Sequence, residues 1–152
     1  MRTLPLAAGA AIAVALAGCA SAVTLPPAEE ASDPSCASVV VSLGQAIGDQ
    51  SLPEPLERRD TTGQGTAAFG NPSAVTLRCG MPEPAPSTER CITVGEVDWL
   101  EVATEEDVWT FVSYGRSPAT EVVIDTTVVS AVTALEGVSS AVARTERVGA
   151  CS

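Results

Sequence analysis

The stretch Ile-Thr-Val-Gly-Glu-Val-Asp-Trp, residues 92–99, constrains the fold of this chain more than any other. Apolar and polar residues alternate on both sides of the pair Gly95-Glu96. A two-residue loop with Gly first suits a type II′ turn, whose twist matches that of its flanking strands. In that register Val94 faces Val97 and Ile92 faces Trp99, all on one side, while Thr93 and Asp98 share the other. The stretch therefore predicts an antiparallel hairpin with one buried face.

Other segments extend the sheet. Val75, Leu77 and Cys79 alternate with Ala74, Thr76 and Arg78, and VWTFVSY (108–114) and TEVVID (120–125) read as two further strands, joined by a turn at Gly115 and Pro118. Asp33-Pro34 supplies an N-cap and a first helical residue, followed by a stripe of Cys36, Val40, Leu43 and Ile47. A second helix is expected from about Thr126 to Ala143, with Val128, Val132, Leu135, Val138 and Val142 at helical spacing. Residues 48–70 are rich in Pro and charge and read as irregular. The expected fold is α+β: an antiparallel sheet of about four to five strands, with an N-terminal and a C-terminal helix on one face.

The chain starts with a charge at Arg2, an apolar run from Leu4 to Leu16, and the small pair Ala17-Gly18. This is the layout of a secretory signal, and the run falls short of the roughly 20 residues a membrane span needs. LAGC (16–19) resembles the lipobox of bacterial lipoproteins, in which the cysteine thiol takes a diacylglyceryl group and cleavage follows before it. Residues 1–18 then form a lipoprotein signal peptide, with lipid on Cys19 as the membrane partner and anchor. Residues 19–33 carry Pro26-Pro27, Glu29, Glu30 and Asp33, and read as a disordered acidic tether. Extended at about 3.1 Å per residue, it would reach roughly 40 Å. Residues 34–152 form a single domain. The expected location is the outer face of the cytoplasmic membrane.

That destination bears on the cysteines. Cys36, Cys79, Cys91 and Cys151 remain for an exported chain, and four cysteines allow three pairings. The pairing Cys79–Cys91 with Cys36–Cys151 is expected, the first closing the loop GMPEPAPSTER and the second clamping the first helix to the tail. Strict alternation opposes Cys79–Cys91, because it places the two residues on opposite sides of their strands. A zinc site lacks paired C-x₂-C spacing and any His.

The formal net charge is −11, and every cation is Arg. Such a surface repels phosphate backbones, so nucleic acid is not an expected partner. With neither His nor Lys, the usual Ser-His-Asp and Ser-Lys arrangements are absent, and no phosphate-binding Gly-rich loop occurs. Glu105, Glu106 and Asp107 read as a solvated turn, Arg58-Arg59-Asp60 as a solvated face, and Trp99, Trp109 and Phe111 as core. YGRSPA (114–119) is the candidate contact surface: Tyr114, Arg116 and Ser117 are the residues expected to meet a small ligand or an envelope protein, with Arg116 gripping a carboxylate or phosphate. No catalytic residue, metal or cofactor is expected.

Finally, LAGC, DPSC, FGNPSAVTLRCG, VGEVDW, YGRSPATEV and a terminal Cys together resemble the actinobacterial lipoproteins of domain of unknown function 3515, across most of residues 30–152. Phe69 departs from the Trp expected before Gly-Asn-Pro. The resemblance implies an envelope location and brings no activity. The expected function is a non-enzymatic, lipid-anchored binding or accessory module. The alternative is a small envelope hydrolase or transferase using pocket carboxylates.

Overall fold

The computed structural model describes residues 21–151. The expected signal peptide, residues 1–18, and the expected lipidation site Cys19 lie outside the described residues. Two antiparallel meanders make the sheet. The first runs through β1 (Ala46–Ile47), β2 (Leu56–Arg59), β3 (Thr66–Phe69) and β4 (Val75–Met81). The second runs through β5 (Cys91–Val94), β6 (Val97–Glu105) and β7 (Val108–Tyr114), makes a short excursion as β8 (Arg116–Ser117), and returns as β9 (Ala119–Asp125). Strand β9 pairs with β4, so the meanders merge into one eight-stranded sheet of order β1-β2-β3-β4-β9-β7-β6-β5. Strand β8 leaves the sheet to pair with β10 (Glu146–Arg147).

The helices α1 (Pro34–Ser42) and α2 (Ala131–Val142) pack against each other and the sheet, consistent with an α+β domain. Asp33 caps α1 as expected, its carboxylate accepting from the Ser35 amide at 2.8 Å, with Pro34 at the first helical position. Helix α2 starts later than expected, at the Ser130 cap, whose hydroxyl accepts from the Thr133 amide. Its buried stripe is Leu135, Val138 and Val142, whereas Val128 and Val132 are exposed. In α1 the fully buried residues are Cys36 and Val39, with Val40 only partly covered. Gly137 sits inside α2 because a Cβ there would lie 2.8 Å from the buried Ile47 side chain, so the close helix–β1 contact outweighs the propensity lost.

The hairpin forms in the register expected: Val94 faces Val97, Thr93 faces Asp98 and Ile92 faces Trp99, with Gly95 at φ 62°. Val94, Val97 and Trp99 are buried, Ile92 packs against the core, and Thr93 hydrogen-bonds Asp98 on the other side. Trp99 is fully buried, and its indole donates to Ser139 of α2 at 3.0 Å. The remaining core residues line up from Val75, Leu77, Phe111, Val122 and Ile124, all fully buried.

Three expectations are corrected. The sheet has eight strands rather than four or five: β2 and β3 lie in the segment 48–70 read as irregular, and β1 takes up Ile47, expected on the first helix, which ends at Ser42. They are two to four residues long, and β3 (Thr66-Ala67-Ala68-Phe69) is buried throughout, so alternation gives no signal. The segment read as a free tether is docked from residue 21: the Val23 amide bonds Asp60, its carbonyl takes the Thr62 amide, and Ala31 is 5% exposed. Docking depends on Gly80, which forms a bulge between Cys79 and Met81 at φ 104°. A Cβ on Gly80 would collide with the backbone of Ala31, and the Gly80 carbonyl accepts from the Glu30 amide.

The disulfides are the third correction. The bridges are Cys36–Cys79 and Cys91–Cys151, with Cα separations of 5.4 and 6.5 Å, not Cys79–Cys91 and Cys36–Cys151. Strands β9, β7 and β6 separate β4 from β5. At about 4.8 Å per strand, Cys79 and Cys91 stand roughly 19 Å apart, far beyond the ~7 Å a bridge spans. The loop 82–90 is a crossover from mid-sheet to edge, not a local turn. Cys79 instead points from the core face of β4 at Cys36 on α1, both 0% exposed.

Two outcomes follow for stability. Gly137→Ala should destabilise the domain by about 1–2 kcal/mol, because overpacking costs about 1–3 while helix propensity returns up to about 1; an unchanged or raised unfolding midpoint in urea would contradict the tight α2–β1 contact. The second concerns acid. The Ser35 hydroxyl and amide hold the Asp33 carboxyl below its ordinary 3.8. A depressed folded-state pKa gives stability that is complete above the unfolded value and lost as pH falls through the folded one. Asp33→Asn keeps an acceptor and removes the titration, so its thermal midpoint should drop less than that of the wild type between pH 4 and pH 2.

Candidate functional site

YGRSPA does not form an exposed turn. Tyr114 ends β7, Arg116 and Ser117 form β8, and Pro118 leads into β9. Arg116 is only 6% exposed. Its Nη1 donates to the carbonyls of Ala143 and Thr145, both at 2.9 Å, and its Nη2 to the carbonyl of Glu96 at 2.7 Å. Ala143 is the C-cap of α2, where unpaired carbonyls and the helix dipole favour a cation. Glu96 belongs to the β5–β6 turn. Burial, reinforced by Arg147, holds the Arg116 pKa below its ordinary value, with Glu96 and Asp98 opposing. Arg116 is thus a clamp joining β8, the end of α2 and the hairpin turn. Three of its five N–H donors are engaged by backbone carbonyls, and Arg116 lines neither of the cavities that Tyr114 and Ser117 face.

The two other candidates face different cavities. Ser117 lines an open cleft of about 750 Å³, together with Pro118, Glu29, Glu30, Asp33, Ser35, Arg144 and Glu146. Tyr114 lines a smaller pocket of about 310 Å³ beside the Cys91–Cys151 bridge, with Glu89 and Leu100. The structure therefore does not bring Tyr114, Arg116 and Ser117 into one site. The cleft is built from three distant parts of the chain: the docked N-terminal segment with the start of α1, the β8–β9 connection at Ser117-Pro118, and the chain from Arg144 to Glu146 that follows α2. Its four carboxylates are exposed, and Asp33 is engaged as the α1 cap. It is a polar groove that attracts cationic groups, with Ser32, Ser35 and Ser117 as hydrogen-bonding partners. Glu29 and Glu30, expected in a tether, line this groove instead. Serine and acid on a Pro-rich stretch carry no sequence signal for a wall that forms through Gly80.

Other candidates fall into place. Arg58 and Arg59 do not form a solvated face. Arg58 donates to the carbonyls of Val40 at 2.9 Å and Leu43 at 3.3 Å, closing the end of α1, and Arg59 donates to the carbonyls of Gly70 and Ser21 and to Asn71. Glu105, Glu106 and Asp107 are exposed at the β6–β7 turn, as expected. Trp99 and Phe111 are in the core, and Trp109 packs against it. Among the described residues, no group of three or more Cys, Asp or Glu side chains is placed to hold a metal ion.

The family model described as a protein of unknown function, DUF3515, matches residues 4–150. No curated protein and no solved structure matches the chain.

The Arg116 clamp has a measurable consequence. Hydrogen bonds from charged donors are each worth about 1.5–3 kcal/mol, and truncation leaves buried carbonyls unpaired. Arg116→Gln keeps at most part of the set and should cost about 2–4 kcal/mol in urea unfolding. A loss below 0.5 kcal/mol, the ordinary range for a surface change, would remove the clamp from the account.

Proposed function

The chain belongs to the DUF3515 family, and we propose that it is an exported lipoprotein of the cell envelope whose domain is a non-enzymatic binding or accessory module. The observation that carries the anchoring is LAGC at the end of a short apolar run, in a chain whose four later cysteines are used in two disulfides. Two bridges suit an oxidising compartment. Two acyl chains on Cys19 hold a protein stably where one gives marginal binding.

Docking of the N-terminal segment changes what the anchor implies. Arg59 holds the carbonyl of Ser21, two residues after Cys19. Lipid on Cys19 then keeps this end of the domain, around β2 and Thr61, against the bilayer surface, rather than at the end of a ~40 Å spacer. The groove beside Ser117 is the contact surface in this reading. Its openness and its exposed carboxylates favour binding over acid–base chemistry, for which a buried carboxylate with a raised pKa is the usual requirement.

Metabolic labelling with a fatty-acid analogue should tag the wild-type protein and leave Cys19→Ser unlabelled, with Cys19→Ser released from the membrane fraction. Equal labelling of both proteins would sink the anchoring.

A further inference from the structure

The two bridges sit in opposite surroundings. Cys36 and Cys79 are 0% exposed between α1 and β4. Cys91 and Cys151 are both partly exposed, and both line the pocket of about 310 Å³ that Tyr114 and Leu100 share. Solvent and a small reactant therefore reach one bridge directly, while the other lies behind packed side chains.

The chain around the outer bridge is also lightly held. Thr145 is 2% exposed, and every residue from Glu146 to Ala150 is exposed. The tail is retained by the β8–β10 ladder, by the Val148 and Gly149 amides on the Gly115 carbonyl at 2.9 and 3.2 Å, by the Cys151 amide on the Asp98 carboxylate at 3.0 Å, and by the bridge. Few buried contacts and exposed hydrogen bonds are the marks of a segment that opens locally at low cost. The Arg116 clamp grips the Ala143 and Thr145 carbonyls, both upstream of this tail, so releasing the tail leaves the end of α2 in place.

We propose that Cys91–Cys151 is a redox-modification site, opened by an external dithiol while the domain stays folded. One thiolate of the dithiol attacks a sulfur of the bridge, and the other cysteine leaves as a thiolate and takes up a proton. The second thiol of the reductant resolves the mixed disulfide. The dithiol is oxidised to its own disulfide, and the protein gains thiols at Cys91 and Cys151. Glu89 lines the pocket and Asp98 holds the Cys151 amide, on a chain of net charge −11. Further negative groups on the reductant are repelled there, so the dithiol the site takes carries no anionic group besides the attacking thiolate. Opening frees residues 146–151 and uncovers the Gly115 carbonyl and the start of β5.

The test uses the purified oxidised protein with limiting dithiothreitol at neutral pH, quenched over time, alkylated and mapped by mass spectrometry. Cys91 and Cys151 should label together, at least about tenfold faster than Cys36 and Cys79, which must wait for a larger opening. Tryptophan fluorescence should stay native, and the gain in hydrogen exchange should be confined to the tail and its partners. The Cys91→Ser/Cys151→Ser protein should fold, retain Cys36–Cys79 and show the same tail exchange without reductant. Simultaneous labelling of all four cysteines, earlier labelling of Cys36 and Cys79, labelling that tracks loss of native fluorescence, or an unfolded double variant would each overturn the proposal.

Discussion

The pairing of β4 with β9 is the contact on which the rest of the architecture depends. Each meander alone is a set of short strands with one apolar face and little to bury it against. The seam sets Val75 opposite Ile124 and Leu77 opposite Val122, all four fully buried. It places mid-sheet the residues that face α1 and α2, and turns two ribbons into one platform. On the outer face the same register aligns Arg78 with Glu121, which form an ion pair at 2.8 Å. The pair is partly buried but open to solvent on one side, where ion pairs add about 1 kcal/mol, so the buried aliphatic pairs carry most of the seam.

Arginine does unusual duty around this platform. The chain has no lysine, and among the described residues four arginines, Arg58, Arg59, Arg116 and Arg147, donate to backbone carbonyls rather than to carboxylates. Arg58 closes the end of α1 and Arg116 the end of α2, while Arg59 ties Ser21 to the turn at Gly70. The planar fork suits this task, because Arg58, Arg59 and Arg116 each satisfy two or three carbonyls at fixed angles, which a lysine ammonium does less well. These side chains consume positive charge that a strongly acidic protein would otherwise show to partners. The surface left open is correspondingly acidic, including the groove beside Ser117.

That groove and the proposed anchor meet in one structural element. Residues 21–33 begin beside Arg59, cross the bulge at Gly80, form one wall of the groove and end as the cap of α1. A lipidated Cys19 would therefore fix both the distance and the orientation of the domain at the membrane. An extended tether would fix neither.

Much of the second meander and both helices are legible in the sequence because their signals are local. The turn at Gly95-Glu96 and the alternation around it specify the β5–β6 register residue by residue. Asp33-Pro34 specifies where α1 starts, since a side-chain acceptor and a missing N–H act within one turn. The acidic balance and the apolar run from Leu4 to Leu16 are likewise plain in the chain itself. What only the tertiary structure decided is which distant segments meet. Strands as short as Ala46–Ile47, or buried on both faces like Thr66–Phe69, carry no periodicity, and they exist because neighbours supply their hydrogen bonds. The cysteine partners depend on β9 inserting beside β4, which removes Cys79 from Cys91 by three strands. Arg116 reads as an exposed ligand arm until α2 and the hairpin turn deliver three carbonyls to it. Such outcomes are long-range: loop closure costs little extra free energy with length, so the chain pairs wherever apolar faces match, and local residue patterns do not record that choice.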